Sequence, residues 1–211
     1  MFSIRVEGGF TQQQEATIRL LAEQIPDAVN FARSIGEGKM SRWFGEKVLT
    51  ERKALFEHMV GRMATYVNEK CQSLTFVKKF AGNVLQGCAI PQDARAGVGH
   101  KKAFIRADEN SWSYGHQWIP SGIRVYLLDG FFINRIGNQN YQNTNQFMFA
   151  VMMHELTHRI LGTFDHWYTS QKCLGWARLD DPDWMSCAEN WGFFYSDVYD
   201  HLSRHDWASR F

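Results

Sequence analysis

Phe147-Met148-Phe149-Ala150-Val151-Met152-Met153-His154-Glu155-Leu156-Thr157-His158 decides how this chain is read. Seven apolar residues in succession predict a buried helix, beginning near Thr144, and the helix then carries two histidines and a glutamate. Residues four apart lie on one face of a helix, so the imidazoles of His154 and His158 can reach one metal ion. Glu155, beside the first histidine, can face the open side of that ion and handle the protons of a bound water. Burying three such groups is costly unless they are paired or bound to metal. Zinc lowers the pKa of a bound water from about 15.7 to about 7, so this spacing predicts a hydrolytic zinc site.

A catalytic zinc takes a third protein ligand and leaves the fourth position to water. The metzincin pattern would need a glycine at 161 and a histidine at 164, where the chain has Leu161 and Phe164. Gly162 can end the helix and turn the chain back, which brings two candidates into range. Asp165 offers a short oxygen ligand and His166 an imidazole, and spacing alone does not choose between them.

Gly162-Thr163-Phe164-Asp165-His166-Trp167-Tyr168 resembles the GTxDxxY signature that accompanies HExxH in the aspzincins, the deuterolysin-like and peptidyl-Lys metalloendopeptidases. Three other segments are similar to theirs, in the same order along the chain. They are Arg42-Trp43-Phe44-Gly45, Ile123–Phe132 ahead of the zinc helix, and Ala188-Glu189-Asn190-Trp191-Gly192-Phe193-Phe194. The resemblance implies a zinc endopeptidase in which Asp165 is the third ligand and Tyr168 stabilises the oxyanion. Thr169 replaces the usual glycine, and the link between the histidine pair and GTxDxxY is shorter than in the fungal enzymes. Glu189 stands for the usual aspartate, and Gly192 for a second acid of the lysine-selective members, so lysine selectivity is not implied.

A chain of 211 residues is long enough to bury a sizeable core and is expected to form one domain, residues 1–211. Its 23 basic and 22 acidic residues are scattered and nearly balanced, which points away from nucleic acid as a partner. No membrane span is expected, since no 18-residue apolar run occurs. Met1-Phe2-Ser3-Ile4-Arg5 lacks the form of a signal peptide, so the sequence suggests a non-classical or dedicated export route, or an intracellular protein. An exported effector would meet a secretion apparatus and an inhibitor or immunity protein. Cys71 with Cys88, and Cys173 with Cys187, are the pairs that could bridge; buried free thiols are the alternative.

Periodicity predicts helices with a small sheet, and with the resemblance it implies an α+β fold, a predominantly helical zincin-like domain with a small antiparallel sheet beside the zinc helix. Thr11 to Gln14 has the form of a capping box opening a helix to about Gln24. Pro26 opens a second helix that Gly36 ends, with Arg42–Gly45 in the following connection. A third spans roughly Thr50–Cys71, its buried stripe being Leu55, Met59, Met63, Tyr66 and Val67. Ala103–Ala107 and Ile123–Leu127 read as strands, while Trp112, Tyr114, Trp118 and Asn134–Asn145 fall in loops. A last helix is expected from near Asp183 to His201.

The expected activity is hydrolysis of a protein or peptide substrate, with one Zn2+ per chain held by His154, His158 and Asp165. Glu155 is the expected general base. The strand at Ile123–Leu127 could offer its edge to an extended peptide, and Glu189 could attract a basic side chain or serve as an outer-shell carboxylate. Two alternatives stand beside this. One is a gluzincin-type site in which Glu189 completes the metal shell, and the other is a metal-stabilised binding domain without catalysis.

Overall fold

The computed structural model describes residues 2–79, 84–85, 88–89, 96–98, 111–114, 117–128, 131–132, 144–166, 170–179 and 185–208. The chain opens with a strand, β1 (Ser3–Glu7), followed by the helices α1 (Gln12–Glu23), α2 (Ile25–Phe31), α3 (Glu37–Phe44) and α4 (Lys53–Thr65). It then forms β2 (Ser73–Lys78), β3 (Val84–Leu85), β4 (Cys88–Ala89), β5 (Ala96–Val98), β6 (Ser111–Tyr114), β7 (Gln117–Pro120) and β8 (Gly122–Leu127). Three helices complete it: α5 (Thr144–Ile160), α6 (Ser170–Leu179) and α7 (Ala188–Ala208).

The α+β class holds, but the main sheet is not antiparallel. Its order is β1-β2-β8-β5, with β1, β2 and β8 mutually parallel and only β5 running antiparallel to β8. Four helices intervene between β1 and β2, so the chain returns to its starting end before the second strand, as parallel pairing requires. Helix α5 packs against this sheet on one side and α7 on the other, which explains an apolar run with no polar face.

Local signals at the N-terminus act as read. Thr11 Oγ1 accepts from the Gln14 amide at 3.2 Å, and Gln14 Oε1 accepts from the Thr11 amide at 3.0 Å. Further on, three expectations need correction. Helix α2 stops at Phe31 and a 3₁₀ turn, Ala32–Ser34, follows; Gly36 then starts α3 rather than ending α2. Arg42-Trp43-Phe44 therefore lies within α3, not in a connection. On α4 the buried residues are Phe56, Val60, Met63 and Ala64, while Leu55 is 51% exposed. Met63, Tyr66 and Val67 are buried as expected and Met59 partly so. Only at the start of α4 does the core position fall on Phe56 instead of Leu55, because Phe56 packs on Phe44 and Trp191, contacts that local periodicity does not contain.

Trp112, Tyr114 and Trp118 lie not in a loop but on β6 and β7, an antiparallel pair. Ser111-Trp112-Ser113-Tyr114 alternates polar and aromatic residues, which is itself a strand signal. The expected strand at Ala103–Ala107 and nearly all of the Asn/Gln-rich stretch lie outside the described residues. Helix α6 had no counterpart in the sequence reading, and α7 runs Ala188–Ala208. Among the described residues, no helix is long and apolar enough to cross a membrane.

Candidate metal centre

Helix α5 ends inside the protein, and that position creates the site. His154, Glu155 and His158 are each no more than 8% exposed, so their polar groups must be satisfied by protein or ligand. Gly162, at φ 75°, sits in the left-handed region and reverses the chain just past the helix. Leu161 donates to the Thr157 carbonyl at 2.8 Å, and the hydroxyls of Thr157 and Thr163 meet at 2.9 Å. The turn is then pinned to the start of α7. Phe164 donates to the Ser186 carbonyl at 2.7 Å, and Ala188 donates to the Phe164 carbonyl at 3.0 Å.

This brings Asp165 back over the two histidines. Asp165 Oδ1 lies 3.0 Å from Nε2 of His154 and 3.0 Å from Nε2 of His158, and the two Nε2 atoms are 3.1 Å apart. His158 Nδ1 is 2.8 Å from the Thr163 carbonyl, which can only accept, so Nδ1 carries a proton. In the neutral ring, Nε2 is then a lone pair facing a carboxylate oxygen and a second imidazole nitrogen. The His158 lone pair and the Asp165 carboxylate repel at such distances unless a proton on His154 Nε2 or a metal cation lies among the three atoms. Tetrahedral zinc with bonds of about 2.0–2.1 Å places its ligand atoms about 3.4 Å apart, within a few tenths of an ångström of this triangle. The donor set fits zinc.

The other candidates are placed elsewhere. His166 Nε2 is 3.2 Å from Ser186 Oγ, and no atom of His166 joins the cluster. Glu189 Oε2 lies 3.0 Å from Nδ1 of His154, on the side of the ring opposite the triangle. Glu155 Oε1 is 4.0 Å from Nε2 of His154, on the same side as the triangle. Tyr168 lies outside the described residues.

Sequence reasoning missed Thr157 and Thr163, whose hydroxyl pair and carbonyl hold the turn and the His158 ring. It did not place Cys187 at the start of α7 either. There its thiol is brought down to about 6 by the Cys173 thiol and, against the effect of burial, by the backbone amides of Asn190, Glu189 and His166. Cys71 is buried and free, and burial raises its thiol to about 12. Cys173 and Cys187 are neighbours and are not joined by a disulfide here. With Cys71 outside any disulfide, the possible Cys71–Cys88 bridge is not formed.

The electrostatics carry a testable consequence. Burial alone would lower the pKa of His154, but Asp165, Glu189 and Glu155 together hold it well above 6.5. Burial likewise opposes ionisation of Asp165, yet His154 and His158 hold its pKa well below the usual carboxylate range. In the metal-free site these carboxylates favour the protonated form of His154. A group with a raised folded pKa stabilises the fold fully below its unfolded value, near 6.5, and this is lost as pH rises through the folded value. A metal must displace that proton. Zinc binding at pH 7 is expected to release about one proton, with apparent affinity rising as pH rises; calorimetry in buffers of different ionisation enthalpy measures it. Affinity independent of pH between about 6 and 8 would show that His154 is unprotonated before binding.

No protein-family model matches the chain, and no curated protein matches it in sequence. Among solved structures, it is similar in fold to a zinc peptidase from Grifola frondosa. The two share 14% sequence identity, with a TM-score of 0.56, over 89% of this chain and 97% of that one. At that identity the likeness is one of fold.

Proposed function

We propose that this chain is a zinc-dependent endopeptidase of the aspzincin type. The observation that carries the reading is the triangle of His154 Nε2, His158 Nε2 and Asp165 Oδ1, with sides of 3.0–3.1 Å, at the buried end of α5. The shared fold with a zinc peptidase supports it. Together these favour Asp165 over His166 as third ligand, and they count against the gluzincin alternative because Glu189 meets the far nitrogen of His154.

Zinc held by these three residues would supply Lewis acidity and a water made acidic enough to attack at neutral pH. The remaining chemistry belongs to the chain. Glu155 takes a proton from the attacking water on its carboxylate and passes it to the leaving amine. Tyr168, by the resemblance, donates a hydrogen bond to the developing oxyanion. Among the described residues β8 is hydrogen-bonded on both sides by β2 and β5, so an extended peptide would pair with an outer strand, β5 or β1, and not with β8. That replaces the edge expected at Ile123–Leu127.

Elemental analysis and peptide mapping test the proposal together. Metal-replete protein is expected to contain one zinc per chain and to cut protein substrates at internal bonds. A chelator should stop cleavage, and added zinc should restore it. Protein free of zinc after purification in its presence, or cleavage indifferent to chelator, would sink the reading.

A further inference from the structure

We propose that Glu189 is a positioning residue of the metal centre, gripping the His154 ring through Nδ1, and that the close approach of α7 to α5 at Gly192 sets this grip. The inference rests on the zinc reading above and assigns Glu189 to the outer shell, neither as a ligand nor as a substrate-binding acid. Glu189 and Gly192 are three residues apart on α7 and share a helix face. A Cβ on Gly192 would lie 3.1 Å from the Ala150 carbonyl oxygen and 3.2 Å from the His154 Cβ. Ala150 and His154 are themselves one turn apart on α5. The two helix backbones therefore meet at a separation that suits glycine, beside the residue whose ring Glu189 contacts.

The direction of the contact matters. Nδ1 and Nε2 lie on opposite sides of the imidazole, so a carboxylate 3.0 Å from Nδ1 leaves Nε2 facing Asp165 and His158. The contact is an ion pair at 3.0 Å, not an aligned hydrogen bond; a carboxylate so placed orients the ring and makes it a stronger ligand. His158 has a different support, the neutral carbonyl of Thr163 at 2.8 Å. The two metal histidines are thus held unequally, one by a charge and one by the backbone. Glu189 also sits in the first turn of α7, where an acid stabilises any helix. The test must separate that purely structural role from the one proposed.

Full-length wild type, Glu189→Ala, Glu189→Gln and Gly192→Ala are compared by zinc competition against a chromophoric chelator, by the visible spectrum of the Co2+ form, and by melting of metal-free protein. Glu189→Ala is expected to weaken zinc binding about 10–100-fold while retaining a tetrahedral cobalt spectrum. Glu189→Gln, which keeps an acceptor oxygen, should lose less. Gly192→Ala should weaken zinc in the same direction with Glu189 intact, since a helix carbonyl cannot yield without moving the helix. Unchanged zinc affinity in Glu189→Ala, with only a lower melting temperature, would reduce Glu189 to a helix-end acid and overturn the inference. Loss of zinc as complete as in His158→Ala would also overturn it, by making Glu189 a ligand. Wild type that binds no zinc refutes the metal reading itself, before any variant is compared.

Discussion

Glu155→Ala is expected to retain one zinc per chain and an unchanged melting temperature while losing about 10²–10⁴-fold in kcat, the usual worth of a general acid–base residue. Glu155 is buried between the two histidines on α5, with Oε1 4.0 Å from Nε2 of His154. It lies outside the triangle formed by the three donor atoms, so its removal should spare the metal. Single-turnover cleavage of a denatured protein substrate, with zinc measured in the same sample, separates the two effects. Cleavage at the parental rate by a zinc-loaded Glu155→Ala enzyme would remove Glu155 from the mechanism.

The second large effect concerns the metal itself. His158→Ala and Asp165→Ala should each lose zinc and hydrolysis together, well beyond the ~10–100-fold loss typical of outer-shell changes. His166→Ala should keep both, because its ring turns to Ser186 Oγ at 3.2 Å. Zinc content after dialysis against a weak chelator distinguishes the variants. If His166→Ala empties the site and Asp165→Ala does not, the ligand set proposed here is wrong.

Contacts around these residues tie the start of α7 to α3. Trp43 Nε1 donates to Asp197 at 2.8 Å, and Asn190 Nδ2 donates to the Trp43 carbonyl at 2.6 Å. Trp43 also stacks on Phe193, with ring centroids 4.8 Å apart. Two of the segments that carried the family resemblance, Arg42–Gly45 and Ala188–Phe194, are therefore packed on each other. Their joint effect is to hold α7, and through α7 both Glu189 and the bridge that carries Asp165.

Local sequence determined the features whose physics is local. The capping box at Thr11, the start of α5 at Thr144 and the shared face of His154 and His158 follow from hydrogen bonds and periodicity within a few residues. Gly162 could be read as the reversal after α5 for the same reason. What lay beyond reach depended on partners distant in sequence. That Asp165 rather than His166 approaches the two histidines is set by the pairing of Phe164 with Ser186 and Ala188, some twenty residues away. Phe56 rather than Leu55 faces inward because Phe44 and Trp191 wait there. The parallel sheet depends on Ser3–Glu7 crossing four helices to meet Ser73–Lys78, and the side of His154 that Glu189 meets depends on how closely Gly192 lets α7 approach α5. Residue types and spacing specify which chemistry a chain can perform; only the packing of distant elements decides which atom of which side chain reaches the metal.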